Sequence, residues 1–220
     1  GVKNTSEFPV DVSTASVNVS HVRLKSGTTT GAGAGLIWRV AIDGLESITP
    51  TTSYGKPEIH SFYIGNRSHE DFFLDSNGGQ RIHIRGRNFG SRNDYIDGVT
   101  YGPGGARYKA QNCTVTVPHS EITCTTVPSV GSNLNWLVTI RGQTNRILAG
   151  TPVTGVSPPA ITSVTPPIVT TEGAKVIIRG KHFGAKAGNK PRVRVTFQGS
   201  TICPPNRPVE VIESDLEEEI

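Results

Sequence analysis

The sequence predicts an all-β protein of the sandwich kind. Short stretches rich in Val, Ile and Thr recur along the 220 residues, and Gly, Pro, Asn and Ser separate them, as in proteins built from many short strands. Runs of Ala, Leu, Glu and Lys, which favour long helices, are missing. The clearest strand-like stretches are RIHIRG at 81–86, CTVTV at 113–117, WLVTIRG at 136–142 and KVIIRG at 175–180.

A second observation is that one pattern is written more than once. GGQRIHIRGRNFG at 78–90 corresponds to EGAKVIIRGKHFG at 172–184, and the flanking segments correspond as well. The further matching pairs are PEIHSF with PAITSV, VTYGPGG with VTFQGS, and VTVPHSEI with VEVIESDL. Both copies stay in register with small loop insertions, which indicates one domain written twice.

A third, partial copy lies near the N-terminus. VNVSHVRL at 17–24 matches VTVPHSEI, and GAGLIWRVAIDG at 33–44 matches GSNLNWLVTIRG at 131–142. This alignment places Trp38 on Trp136, and these are the two Trp residues of the chain. A coincidence of both Trp residues at one repeat position favours a shared strand.

The copies imply three units joined by short linkers. The linkers at 48–57 and 149–159 are rich in Pro, Gly, Thr and Ser, but they are too short to hold the units far apart. One end of the chain then lacks strands that the other end has. We therefore expect either a longer tandem chain or completion by another copy through strand addition, which would build a head-to-tail fibre. The expected units are the second part of a repeat at 1–49, a complete repeat at 56–148, and a repeat without its last strands at 158–220.

The repeated phrase RGRNFG or RGKHFG suits a structural role. Gly86 and Gly180 are expected to end their strands, where glycine permits positive φ or a close backbone approach. Phe89 and Phe183 can then turn back under the sheet and bury a ring. A phosphate-binding glycine loop is the alternative, but no Lys-Ser/Thr pair follows the phrase and no helix pattern comes next. GAGAG at 31–35 is likewise expected to be a loop before the Trp strand.

These motifs resemble the IPT/TIG domain, an immunoglobulin-like β-sandwich. Residues 159–200 carry the pattern P-x-I-x-S-V-x-P…E-G-x-x-V-x-I-x-G-x-x-F-G…V-x-F-x-G, and SEITCTTVPSVG at 120–131 resembles a later segment of the family. The resemblance implies tandem sandwiches of this type, one complete and two partial. It does not imply a function, because plexins, receptors of the hepatocyte growth-factor type and fibrocystin-like surface proteins carry tandem copies, whereas Rel-type transcription factors carry single ones.

The chain departs from the family pattern in two places. The opening loop of the complete repeat, 63–77, is longer than the pattern requires. Glu218 stands where a family-like Cys would pair with Cys203, so we expect Cys203 to be unpaired within this chain.

Cysteines and glycosylation signals point to an oxidising compartment. Cys113 and Cys124 are eleven residues apart, and two neighbouring segments of one sheet could bring them within disulfide reach. We expect this bond to form. N-linked glycans are expected at the four Asn-x-Ser/Thr sequons, which begin at Asn4, Asn18, Asn66 and Asn112.

The motifs of common enzymes and metal sites are missing from the sequence. It contains no H-E-x-x-H, C-x-x-C or G-x-S-x-G pattern. Asp94 and Asp97 could help to hold Ca²⁺, but the denser D-x-D-x-D-G pattern is not present. We therefore expect no catalytic residues, no cofactor and no metal.

One loop is a candidate for partner binding. It combines acidic, basic and aromatic side chains between the first two strands of the complete repeat, and the alternative is that its aromatic rings pack against the sandwich edge. Its residues are His69, Glu70, Asp71, Phe72 and Phe73.

Together these patterns favour a non-enzymatic extracellular or cell-surface glycoprotein with a structural or adhesive role. The expected partners are other copies of the chain or further repeats of a longer one. A ligand-binding receptor ectodomain is the first alternative, and a DNA-binding TIG domain is the second. The second is weakened because the net charge is only +4, the basic residues form no tract of five, and the basic group at 81–92 runs through a strand and its turn. No run of 18 apolar residues predicts a membrane span.

Overall fold

The computed structural model describes residues 30–47, 51–68, 72–168 and 175–184, together with the strand residues 16–17, 24–25, 196–197 and 200–201. Within these residues, two 3₁₀ turns, Asn93–Tyr95 and Pro103–Gly105, lie among the strands. The strands are β1 Ser16–Val17, β2 Leu24–Lys25, β3 Leu36–Ile37, β4 Ala41–Ile42, β5 Leu45–Glu46, β6 Thr51–Thr52, β7 Glu58–Ile64, β8 Arg67–Ser68, β9 Arg81–Arg87, β10 Ile96–Gly102, β11 Tyr108–Lys109, β12 Gln111–Val117, β13 Glu121–Thr125, β14 Asn135–Ile140, β15 Gln143–Thr144, β16 Ala160–Thr165, β17 Ile177–Lys181, β18 Thr196–Phe197 and β19 Ser200–Thr201.

Two antiparallel sheets between β7 and β15 form a sandwich. One sheet has the strand order β12-β13-β9-β7-β8, and the other has the order β11-β10-β14-β15. Alternate residues along β9 and β14 are buried, as expected for strands with one face toward a core and one toward solvent. This architecture confirms the predicted all-β, immunoglobulin-like fold class.

Aromatic rings fill the space between the two sheets. Trp136 on β14 stacks on Tyr101 of β10 with ring centroids 4.3 Å apart, and it meets Phe62 of β7 across the sandwich at 5.3 Å. All three side chains are fully buried. The Tyr101 hydroxyl donates to Val127 O at 2.8 Å, and the indole Nε1 of Trp136 donates to Thr154 Oγ1 at 2.9 Å. The polar ends of these buried rings are therefore satisfied.

The first copy of the repeated phrase forms the predicted plug, with one correction to the strand end, whereas Phe183 of the second copy is only half-buried. Phe89 is fully buried, as expected. Strand β9, however, continues through Gly86 to Arg87, and the left-handed residues are Asn88 (φ 64°) and Gly90 (φ 75°). Gly86 has another role, because a Cβ at this position would overlap the Glu58 carbonyl group and the Phe89 ring, so that no side chain fits. Positive φ and a close backbone approach were the two expected reasons for a glycine here, and the close approach is the correct one.

The long opening loop at 63–77 is shorter than expected. Strand β7 extends to Ile64, and a two-residue turn at Gly65-Asn66 returns the chain into β8, which pairs Arg67 with Ile64. Leu74 then joins the next linker, since its N–H donates to Gly155 O at 2.7 Å and its own carbonyl accepts from the N–H of Ser157.

The remaining described strands form two-stranded sheets: β1 with β2, β3 with β6, β4 with β5, β16 with β17, and β18 with β19. The linkers take part in this pairing, because Thr52 lies opposite Leu36 and Thr154 lies opposite Leu134. The division of the chain into units at 1–49, 56–148 and 158–220 stays a prediction.

Candidate functional site: the edges, loops and outer face of the sandwich

A disulfide joins two neighbouring strands of the larger sheet. Cys113 on β12 is bonded to Cys124 on β13, as predicted. Cys124 is 1 % exposed and belongs to the core, and the ladder is irregular between Gln111 and Thr114, where Cys113 lies. The bond therefore ties the edge strand β12 to the adjacent strand β13. Cys203 lies outside the described residues.

Two of the four predicted sequons lie at opposite edges of this sheet. Asn66 is exposed in the tight turn between β7 and β8, and Asn112 is exposed beside the irregularity in β12 with a φ of 49°. Because β8 and β12 are the two edge strands, glycans at these positions would shield both edges from pairing with other chains. Asn4 and Asn18 lie outside the described residues.

The two aromatic residues of the candidate partner-binding loop have different environments. Phe72 is 5 % exposed and belongs to the core, whereas Phe73 is 59 % exposed and lies beside Gly155 of the linker. Phe73 is thus the member of the pair that a partner could reach. His69, Glu70 and Asp71 lie outside the described residues.

A charged network that the sequence does not reveal covers the outer face of the larger sheet. Glu121 on β13 accepts from Arg85 Nε and from Thr116 Oγ1, each at 2.9 Å, and its Oε1 lies 2.9 Å from His83 Nδ1. Burial opposes ionisation of Glu121, but the hydrogen bonds from His83, Arg85 and Thr116 outweigh it and lower its pKa to about 2. The Arg85 guanidinium also lies 4.4 Å above the Tyr63 ring. The contacts of Glu121 and Arg85 described here are thus made to other side chains of the same sheet.

The other basic residues of 81–92 that have described contacts are paired as well. Arg87 binds Glu58 at 2.7 Å, and Arg92 donates to both carboxylate oxygens of Asp94 at 2.9 and 3.1 Å. The Arg92 hydrogen bond is the main cause that lowers the pKa of Asp94. Pairing of this kind leaves less positive charge for phosphate groups than the sequence alone suggests.

The two aspartates considered for Ca²⁺ have separate partners. Asp94 binds Arg92, and Asp97 accepts a hydrogen bond from the backbone N–H of Gly142. Among the described residues, no group of three or more His, Cys, Asp or Glu side chains is placed to hold a metal ion.

A cleft of about 170 Å³ lies where the loop at 30–35 meets the end of the sandwich. Its polar groups bond to the linker: Gln143 Nε2 donates to Tyr54 O at 3.0 Å, and Asn88 Nδ2 donates to Lys56 O at 2.8 Å. Its volume is below the roughly 300–1,000 Å³ of typical small-molecule sites. The cleft therefore belongs to the junction between the linker and the sandwich.

In the part of the chain that the structure describes, no helix has the length and apolar character needed to cross a bilayer.

Comparison with known families supports the assignment of the sandwich. Residues 72–154 match the family model of the IPT/TIG domain. This stretch contains β9 to β15 and ends at Thr154, the acceptor of the Trp136 indole hydrogen bond. No match to the chain was found among curated proteins or among solved structures. The resemblance seen in the sequence is thus confirmed for the part that forms most of the sandwich.

Proposed function

We propose that the chain is part of a non-enzymatic extracellular glycoprotein in which tandem IPT/TIG-type sandwiches serve as a structural or adhesive scaffold. The observation that carries this proposal is that several hydrogen bonds and strand registers of the sandwich are found again outside it. A scaffold made of one repeating unit needs such a fixed geometry, whereas a catalytic protein needs convergent reactive groups.

The Trp strand is the clearest case. Trp38 Nε1 donates to Thr52 Oγ1 at 2.8 Å, as Trp136 Nε1 does to Thr154 Oγ1 at 2.9 Å. The position two residues later repeats the scheme, since the N–H of Val40 donates to the Ser47 side chain at 2.9 Å and the N–H of Val138 donates to the Asn145 side chain at 2.6 Å. Strands β4 and β5 pair in the same register as the corresponding ends of β14 and β15.

The linkers repeat this geometry too. Tyr54 N donates to Gly33 O at 2.9 Å, and Val156 N donates to Gly131 O at the same distance. The two glycines have nearly equal backbone angles, with φ of 114° and 116°. Each linker is therefore hydrogen bonded to the unit before it, which supports a stiff array rather than units on flexible tethers.

Two kinds of feature support an extracellular location. The Cys113–Cys124 disulfide suits an oxidising compartment, and the exposed sequons at Asn66 and Asn112 suit the secretory pathway. The same disulfide argues against a nuclear DNA-binding role, because nuclear thiols are kept reduced. A receptor ectodomain remains the second candidate, and exposed Phe73 beside the linker is the observation that favours it.

Surface labelling of intact cells that produce the protein tests this proposal. A membrane-impermeant biotin reagent should label the chain on intact cells, or the chain should be recovered from the medium. A cytosolic protein from the same cells serves as the matched control and should be labelled only after permeabilisation. Labelling of the chain only in permeabilised cells, with none in the medium, would contradict the extracellular assignment.

A further inference from the structure

Strands β16 and β17 repeat the pairing of β7 and β9 residue for residue. Ile161 lies opposite Gly180 as Ile59 lies opposite Gly86, and both ladders then skip one residue. After this irregularity, Val164 lies opposite Ile178 as Phe62 lies opposite Ile84. The β16–β17 pair, called here the open hairpin, therefore has an inner face that corresponds to the inner face of the larger sheet.

This inner face is buried in the sandwich and mostly exposed in the open hairpin, where Ile178 alone of the apolar side chains compared is half-buried. Ile59, Phe62 and Ile82 are 7, 0 and 0 % exposed, whereas the corresponding Ile161, Val164 and Val176 are 64, 45 and 41 % exposed. In the sandwich, β14 covers this face, and its Trp136 ring lies against Phe62. The open hairpin thus presents an apolar face that has the register of a sheet half, and among the described residues no strand equivalent to β14 covers this face.

An equivalent of β14 and β15 lies at the other end of the described chain. Residues 36–47, called here the Trp segment, repeat the hydrogen-bonding scheme of β14 and β15 around Trp38. Leu36 and Trp38 are only half-buried, whereas Leu134 and Trp136 are fully buried against the larger sheet. The Trp segment therefore has the geometry of the strands that cover the larger sheet, but its Leu36 and Trp38 side chains are less buried than their counterparts in the sandwich.

The two halves of one chain lie at opposite ends of the sandwich. The loop before the Trp segment approaches Arg141, just after β14 ends, because a Cβ at Gly33 would lie 3.5 Å from the Arg141 Cβ. The open hairpin follows a linker that is bonded to Gly131 and Leu134, just before β14 begins. The six residues of β14 separate these points by about 20 Å, so the Trp segment and the open hairpin of one chain are anchored at opposite ends of β14.

We infer that the Trp segment of one copy packs across the open hairpin of a second copy and completes a sandwich there. Trp38 would lie over Val164 as Trp136 lies over Phe62. The contact is heterologous, so it propagates head to tail and does not close after two chains. This inference rests on the proposed tandem-repeat scaffold and names its partner, a second copy of the chain.

Sedimentation velocity of the purified chain from micromolar to millimolar concentration tests the inference. The wild type should grow beyond its 23.5 kDa chain mass as concentration rises. Ile161→Asp, which disables the open hairpin at an already exposed position, and Trp38→Arg, which disables the Trp segment, should each remain at the chain mass. Leu148→Asp is the matched control, since Leu148 is 66 % exposed but belongs to neither surface, and it should assemble like the wild type.

Mixing the two disabled variants gives the decisive result. Each variant retains the surface that the other lacks, so the mixture should form a species of twice the chain mass and nothing larger. The inference is overturned if the wild type stays at the chain mass throughout, as it would if its own remaining residues covered the hairpin, or if the mixture forms no dimer. Either result leaves the surface-labelling test untouched, so failure of the assembly and failure of the proposed location can be told apart.

Discussion

Replacing Gly86 by Ala should destabilise the sandwich by about 2–4 kcal/mol. A Cβ at this position would overlap the Glu58 carbonyl oxygen and lie 2.7 Å from Phe89 Cζ, whereas real Cβ atoms stay at least 3.0 Å from their neighbours. Because one of the overlapping groups is backbone, β7 and β9 must separate. Overpacking of this kind costs about 1–3 kcal/mol. The hydrogen bond from Gly86 N to Ser120 O, 2.9 Å long, would also be strained, at about 1 kcal/mol more.

Thermal unfolding followed by Trp fluorescence measures this effect. A Trp38→Phe background leaves Trp136 as the single indole, and Trp136 reports on the core of the sandwich. Gly86→Ala should lower the midpoint by roughly 10–25 °C. Gly98→Ala in β10 is the matched control, because a Cβ there meets nothing within 4 Å, and it should leave the midpoint unchanged or raise it slightly. Equal midpoints for the two variants would refute the close-approach explanation of this glycine.

Three further predictions follow from the same contacts. The pKa of Glu121 is lowered from 4.5 to about 2, so ionised Glu121 stabilises the fold above pH 4.5 and this contribution is lost as pH falls toward 2; Glu121→Gln should flatten that part of a stability-versus-pH curve measured by urea unfolding. Phe89→Ala should lower the free energy of unfolding of the sandwich by about 3–5 kcal/mol, whereas Phe183→Ala should leave the unfolding transition of the sandwich unchanged; calorimetry of the two variants can measure both effects. Reducing the Cys113–Cys124 bond should lower the free energy of unfolding by about 2–3 kcal/mol, and equal urea midpoints with and without reductant would contradict this.

Local sequence patterns predict the features that depend on residues close together in the chain. Alternating apolar residues predicted β9 and β14, and the repeated Phe predicted the plug at Phe89, because burial on one face of a strand imposes a period of two. The disulfide was also predictable, since Cys113 and Cys124 lie on strands that follow one another in the chain and pair directly. The β7–β8 turn was missed although Gly65-Asn66 is a known hairpin signal, because polar residues after it suggested a loop.

Features that depend on strand order could not be read from the sequence. Glu121 and Arg85 are 36 residues apart, and only the antiparallel register of β13 with β9 places them opposite each other. The same holds for the open hairpin, whose apolar residues look like ordinary core positions in the sequence. Their exposure is apparent only when no second sheet is found over Ile161 and Val164 among the described residues.

Intact-mass analysis of the protein from its natural source tests the claim of an oxidised, glycosylated scaffold most directly. Enzymatic removal of N-linked glycans should lower the mass, and peptide mapping should place glycans at Asn66 and Asn112. Under non-reducing conditions the same map should show Cys113 linked to Cys124. An unchanged mass after deglycosylation, together with both cysteines as free thiols, would contradict the account.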